Sequence, residues 1–216
     1  MFNDLRNATR AGAVVTLLTA AALGLTPVAH AEMYGDPSTA APYWRYQHQE
    51  DCGLMAIADV VGQLTGHEPT QLGVELRGVF TPSESHRGDV YFFDGTSPQD
   101  MVLLLQRYGI ASNLTTGNTM AGLEQDLAQG HKVIAALNAE TIWNIAGNRT
   151  QPDHAVVVTG VDTGANIVHL NDSGTPNGRD EQIPMDVFSQ AWSTSNNLLI
   201  VTDATGYGTV PWAPHL

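Results

Sequence analysis

The stretch YQHQEDCGLMAIADVVGQLTG, residues 46–66, decides the fold. It holds Cys52, the only cysteine of the 216-residue chain. A single cysteine excludes a disulfide within the chain, so the thiol is inert core, a reactive group, or paired to another molecule. Asp51 stands at a capping position. Behind it, Leu54, Met55, Ile57, Val60, Val61 and Leu64, mixed with Ala56 and Ala58, put apolar groups on nearly every side of a helix over 51–64. A helix that is apolar all round is buried inside a domain. Thr65-Gly66 supplies its stop, and Pro69 prevents easy continuation. Cys52 then lies in the first turn, where unpaired N–H groups and the macrodipole favour a thiolate. Gly53 beside it leaves room for a substrate backbone to come close.

Upstream, residues 1–31 read as a signal peptide: Arg6 and Arg10 precede an apolar run over 11–25, and Ala29-His30-Ala31 offers small residues for cleavage. The run is shorter than the roughly 20 residues that span a bilayer, so no membrane span is expected to be retained. The exported chain is expected to start near Glu32, secreted or in the cell envelope. Residues 32–42, rich in Pro, Gly, Ala and Ser, suit an exposed lead-in, residues 43–203 one domain, and residues 204–216 a tail. Without Arg6, Arg10 and Asp4 the charge is −14, from 7 basic and 21 acidic residues. Such a balance speaks against nucleic acid as a partner.

Downstream, the stretch 67–97 is long and polar. Ser97-Pro98-Gln99-Asp100 starts a helix expected to run to about Tyr108 and end at Gly109, and residues 119–129 form another, closed by Gly130. After these the texture changes to short β-rich runs at 132–137, 155–161, 167–170 and 198–201, with a hairpin turn over 162–166 and a helix over 185–192. Helices first and an antiparallel sheet afterwards make an α+β fold, its buried helix packed on the sheet.

A thiol nucleophile needs a base. His154 stands at the mouth of the run Ala155-Val156-Val157-Val158, where a strand can hold it rigidly while its ring faces a cleft. The imidazole needs an orienter. Asn171-Asp172 ends the next strand, 18 residues on, and neighbouring strands lie roughly 5 Å apart. Asp172 could accept from the ring and stabilise imidazolium, whereas Asn171 could do only the first. A side-chain amide upstream of Cys52, from Gln47 or else Gln49, could join the Cys52 N–H as oxyanion donor, and Gln47 can fold back over the helix end more easily.

In these motifs the chain resembles the papain-like bacteriocin-processing peptidases, family thirty-nine of the cysteine peptidases, and their exported relatives. The resemblance lies in an upstream Gln, Asp51-Cys52-Gly53 opening an apolar helix, Asp153-His154-Ala155-Val156-Val157-Val158-Thr159-Gly160-Val161, Val168-His169-Leu170-Asn171-Asp172, and Phe188-Ser189-Gln190-Ala191-Trp192. It implies a papain-like fold with Cys52 as nucleophile, His154 as base and then acid, Asp172 as orienter and Gln47 as oxyanion donor. It further implies a peptide or protein substrate, with a cell-envelope peptide among the candidates, a thioester intermediate, and neither metal nor organic cofactor. Asp51-Cys52-Gly53-Leu54 also resembles the start of NlpC-type cell-wall endopeptidases, and a papain-shaped binding domain without turnover is the chief non-enzyme alternative. The motifs indicate neither the substrate nor the oligomeric state.

Overall fold

A computed structural model describes residues 31–91 and 95–211. The expected signal peptide lies, except for Ala31, outside them. In chain order the elements are β1 (Met33–Gly35), α1 (Pro37–Ala40) and a single 3-10 turn (Ala41–Tyr43), followed by the helices α2 (Cys52–Thr65), α3 (Gln71–Val79) and α4 (Pro98–Arg107). Next come β2 (Ser112–Thr115), α5 (Met120–Ala128), β3 (His131–Leu137) and α6 (Ala139–Ile142). The remainder is β4 (His154–Asp162), β5 (Ile167–Asn171), β6 (Glu181–Pro184), α7 (Met185–Ser193) and β7 (Leu199–Thr205). The strands form an antiparallel sheet in the order β2-β7-β3-β4-β5-β6, with β1 added to the far end of β4.

The expected α+β architecture is what forms, and strand alternation explains its layers. Ala155 and Val157 of β4 pack with α2, while Val156 and Val158 pack with Leu123 and Leu127 of α5 and Phe188 and Trp192 of α7. A strand covered on both faces must read as an unbroken apolar run, which is why β4 shows no alternation in its sequence. Ile57 and Val61 of α2 are fully buried. Gly66 ends α2 with φ 76°, a left-handed conformation that glycine adopts without a Cβ penalty. Ser97 caps α4 through its hydroxyl, 3.2 Å from the Asp100 N–H, as expected of a capping serine.

Four expectations are corrected. The lead-in over 32–42 is not exposed throughout, because Met33, Tyr34 and Gly35 pair with Asp162, Val161 and Gly160, and Ala40 is fully buried. An edge on β4 beyond the reach of β3 needs hydrogen-bond partners, and this segment supplies them. The expected tail over 204–216 begins inside β7, and its described part folds back on α2, with the Gly208 and Val210 N–H groups donating to the Gln63 and Leu64 carbonyls at 3.0 and 2.8 Å. Those carbonyls are among the last of α2, which no further turn would satisfy. Asp51 does not cap α2 with its side chain. Gly53 opens no space for a substrate: a Cβ there would meet Met101 Sδ at 3.2 Å and Thr96 Cβ at 3.4 Å, so the missing side chain lets α4 approach.

The long polar stretch 67–97 contains α3, which Thr70 caps and which lies along α2 with Val74 and Gly78 buried. At Gly78 an added Cβ would come within 2.8 Å of Tyr91 Cβ. Gln71 and Tyr91 from this stretch reach the start of α2.

Candidate active site

Cys52 opens α2 and is half-buried. The first helical bond runs from the Met55 N–H to the Asp51 carbonyl at 2.9 Å. The Asp51 carboxylate turns away from the helix end to accept from the Tyr91 hydroxyl and, at 2.8 Å, from the Gln71 amide. Burial raises its pKa above the usual carboxylate range, against the help of those two donors. With Asp51 so engaged, the first N–H groups of α2 point onward without a capping side chain.

His154 opens β4, paired with Leu137 of β3, and is buried. Its Nε2 lies 2.6 Å from Asp172 Oδ1, and Asp172, directly after β5, is fully buried. Cys52 lies close enough to the imidazole to act on it electrostatically. Residues 102 positions apart in the chain thus meet where the start of α2 abuts the sheet. Burial disfavours a charged imidazole, yet the hydrogen bonds and charges of Asp172 and Cys52 outweigh it and raise His154 to about 10. Asp172 shifts the opposite way: burial would raise it, but His154, the Trp143 indole and the Gly174 N–H together hold it below the usual range. Both shifts favour the charged forms of the pair.

Alternation decides which of the two neighbours, Asn171 or Asp172, faces the histidine. Asn171 pairs with Val157 and shares its face, so its amide donates to Asp59 of α2 at 2.7 Å and to the Ala40 carbonyl at 3.1 Å. Asp172 takes the opposite face with His154.

Several groups that hold Asp172 carry no signature in the sequence. The Trp143 indole donates to Oδ2 at 2.7 Å, and its ring lies 5.1 Å from that of His154. The Gly174 N–H donates to Oδ1 at 2.7 Å and the Trp44 indole to the Asp172 carbonyl at 2.5 Å. A Cβ on Gly174 would stand 2.6 Å from the Trp143 ring and 2.9 Å from His154 Cε1, so only glycine lets this loop pass. The one available clue was generic: a buried indole N–H needs an acceptor.

Gln47 is strapped to the loop after Asp172. Its backbone N–H donates to the Ser173 carbonyl at 2.9 Å, and its Oε1 accepts from the Ser173 hydroxyl at 2.8 Å. Its Nε2 donates to the Gln49 carbonyl at 2.9 Å. Gln49 is exposed and adopts a left-handed φ of 61°. Of the other histidines, His86 pairs with Asp100 at 3.1 Å and His169 with Asp180 at 2.7 Å.

The sequence model of the Peptidase_C39 like family matches residues 30–200. The chain belongs to this family. Proteins similar to it include uncharacterized proteins of Mycobacterium tuberculosis and Mycobacterium bovis. Each is 48% identical over 214 residues, covering 85% of this chain and 91% of the relative. Among solved structures, a C39-like peptidase from Bacillus anthracis superposes with a TM-score of 0.61 at 16% identity, covering 81% of this chain and 99% of the other. The peptidase domain of Streptococcus ComA, a bifunctional ABC transporter of a quorum-sensing pathway, superposes with a TM-score of 0.52 at 18% identity, covering 74% and 98%. Both share the helix-and-antiparallel-sheet fold described above. Family and fold together support a cysteine peptidase-like function.

Proposed function

We propose that this protein is an exported cysteine peptidase that cleaves peptide bonds through Cys52, His154 and Asp172. The observation that carries the reading is the 2.6 Å bond between His154 and Asp172, made by Nε2 and so leaving Nδ1 for Cys52. The Cys52 thiolate attacks the peptide carbonyl, the tetrahedral intermediate expels the amine with the proton carried by His154, and a thioester remains. Water then gives its proton to His154, attacks the thioester and releases the second product. Asp172 holds the ring and balances its charge in both steps. The elevated pKa of His154 suits the first of them, since a resting imidazolium already carries the proton that the leaving amine needs.

The uncapped N–H at the start of α2 and the Gln47 amide are the oxyanion donors of this reading. Gln47 Nε2 spends one hydrogen on Gln49 and carries a second. Export follows from the leader-like segment over 1–31, and the substrate class is a peptide or protein, with cell-envelope peptides the nearest at hand.

Labelling of the purified chain with an electrophilic thiol probe tests the reading. Labelling at neutral pH that Cys52→Ser abolishes and His154→Ala slows supports it. Slow labelling that speeds up only on unfolding, indifferent to His154, would mark an inert core cysteine and a papain-shaped binding domain.

A further inference from the structure

β5 and β6 pair Leu170 with Glu181, and paired residues of adjacent strands share one face of the sheet. Asp172 lies two residues beyond Leu170 on that same face, so Glu181 stands diagonally beside it. Its carboxyl group stands close enough to that of Asp172 for the two to act on each other. Two carboxylates held side by side away from water repel each other, and a proton on one of them turns the repulsion into a possible hydrogen bond. Asp172 is already surrounded by donors, from His154, Trp143 and the Gly174 N–H. Glu181 Oε2, by contrast, is closed off from water and meets no donor among the described residues. Of the two, Glu181 is the group with an oxygen left over for a proton.

We propose that Glu181 is a positioning residue of this site: as a neutral acid it donates a hydrogen bond to Asp172 and holds that carboxylate toward His154. The inference rests on the peptidase reading above. Burial first, then the charge and contact of Asp172, raise Glu181 to about 7, while His154 opposes the shift. No other charged group on the packed elements takes up that role. Asp180 is bound to His169, the one other titratable side chain of β5. Arg179 lies over the Trp44 ring, and Asp186, the one charged side chain of α7, is exposed and accepts from the Val187 N–H. Loss of the Glu181 proton turns the donor into a second negative charge facing Asp172. The contact becomes repulsive, and the orienter of His154 loses its brace.

The test is the rate of Cys52 alkylation by iodoacetamide from about pH 5 to 9, measured on the whole chain as wild type, Glu181→Gln, Glu181→Leu and His154→Ala. The expected wild-type profile carries a downward step of at least about threefold centred near pH 7. Glu181→Gln, whose amide donates at every pH, keeps the low-pH behaviour and lacks the step. Glu181→Leu has no step and is slower than Glu181→Gln throughout. A Glu181→Gln profile that superposes on wild type overturns the inference, and being isosteric this variant decides the matter even where Glu181→Leu fails to fold. Leucine as fast as glutamine overturns it too. The His154→Ala profile separates the two readings: if it matches wild type, the peptidase reading has failed. If it differs while Glu181→Gln and wild type coincide, only the role of Glu181 has failed.

Discussion

His154 Nε2 and Asp172 Oδ1 lie 2.6 Å apart, and the other oxygen of that carboxylate accepts from the Trp143 indole at 2.7 Å. An acid held on both oxygens is fixed in rotation as well as position. Asp172→Asn removes the charge that balances the imidazolium and sets an amide N–H either against the Trp143 indole or against His154 and the Gly174 N–H. On a peptide substrate kcat should fall on the order of 100-fold or more with KM little changed, because Asp172 acts on the ring through the proton-transfer steps rather than on substrate binding. Steady-state kinetics with unchanged KM and kcat would contradict the role given to Asp172.

Trp143→Phe tests the second bond on that carboxylate. The ring contact with His154 is kept and one donor is lost, leaving a buried acceptor short of a partner at a cost of about 1 to 3 kcal/mol. Turnover should drop between about 5- and 100-fold if the loss is felt in the transition state. Thermal melting alongside separates this from a loss of fold, since the expected pair is a rate loss with a melting temperature lowered by only a few degrees, well above the assay temperature.

Asp59 gives the fold a pH dependence. It is fully buried on α2, accepting from Gln63 at 2.5 Å and Asn171 at 2.7 Å, and burial, the largest influence, raises it to about 7. A carboxyl whose folded pKa is raised favours the folded state fully below its unfolded value, and that stability is lost as pH rises through the folded value. Between about pH 4 and 8 the wild type should therefore lose on the order of a few kcal/mol through this group. Urea unfolding across that range should show the decline in wild type and a flatter curve in Asp59→Asn, whose amide carries no charge. Parallel curves for the two proteins would remove Asp59 from the account.

The leader reading predicts that exported protein begins at Glu32. The Glu32 carbonyl already accepts from the Thr163 N–H at 3.0 Å, so the chain is anchored to the sheet from that residue onward. N-terminal sequencing of secreted material that starts at residues 11–25 instead would show a retained anchor.

Much of the fold was readable because it is periodic or local. α2 announced itself through apolar groups on every side, β4 through an unbroken valine run, and α4 through a capping serine followed by proline. β2 and β6 lacked any such signal. Both are four-residue edge strands, Ser112–Thr115 and Glu181–Pro184, whose polar, half-solvated composition is also that of loops. Their identity as strands comes from the backbone groups of β7 and β5 that needed partners.

The lone Cys52, a histidine at a strand mouth and an acid at the next strand's end were legible as residue types in order, and the hairpin that brings the last two together followed from its turn. Only the tertiary structure decided which way each side chain faces and what stands against it. It turned Asp51 from the helix cap to Tyr91 and Gln71, sent Asn171 to Asp59, and gave Asp172 to His154 with Trp143, Gly174 and Glu181 around it. The reason is physical. A helix or strand is specified by neighbours a few residues apart, whereas the partners of a buried carboxylate are chosen by which distant segments can satisfy it without water.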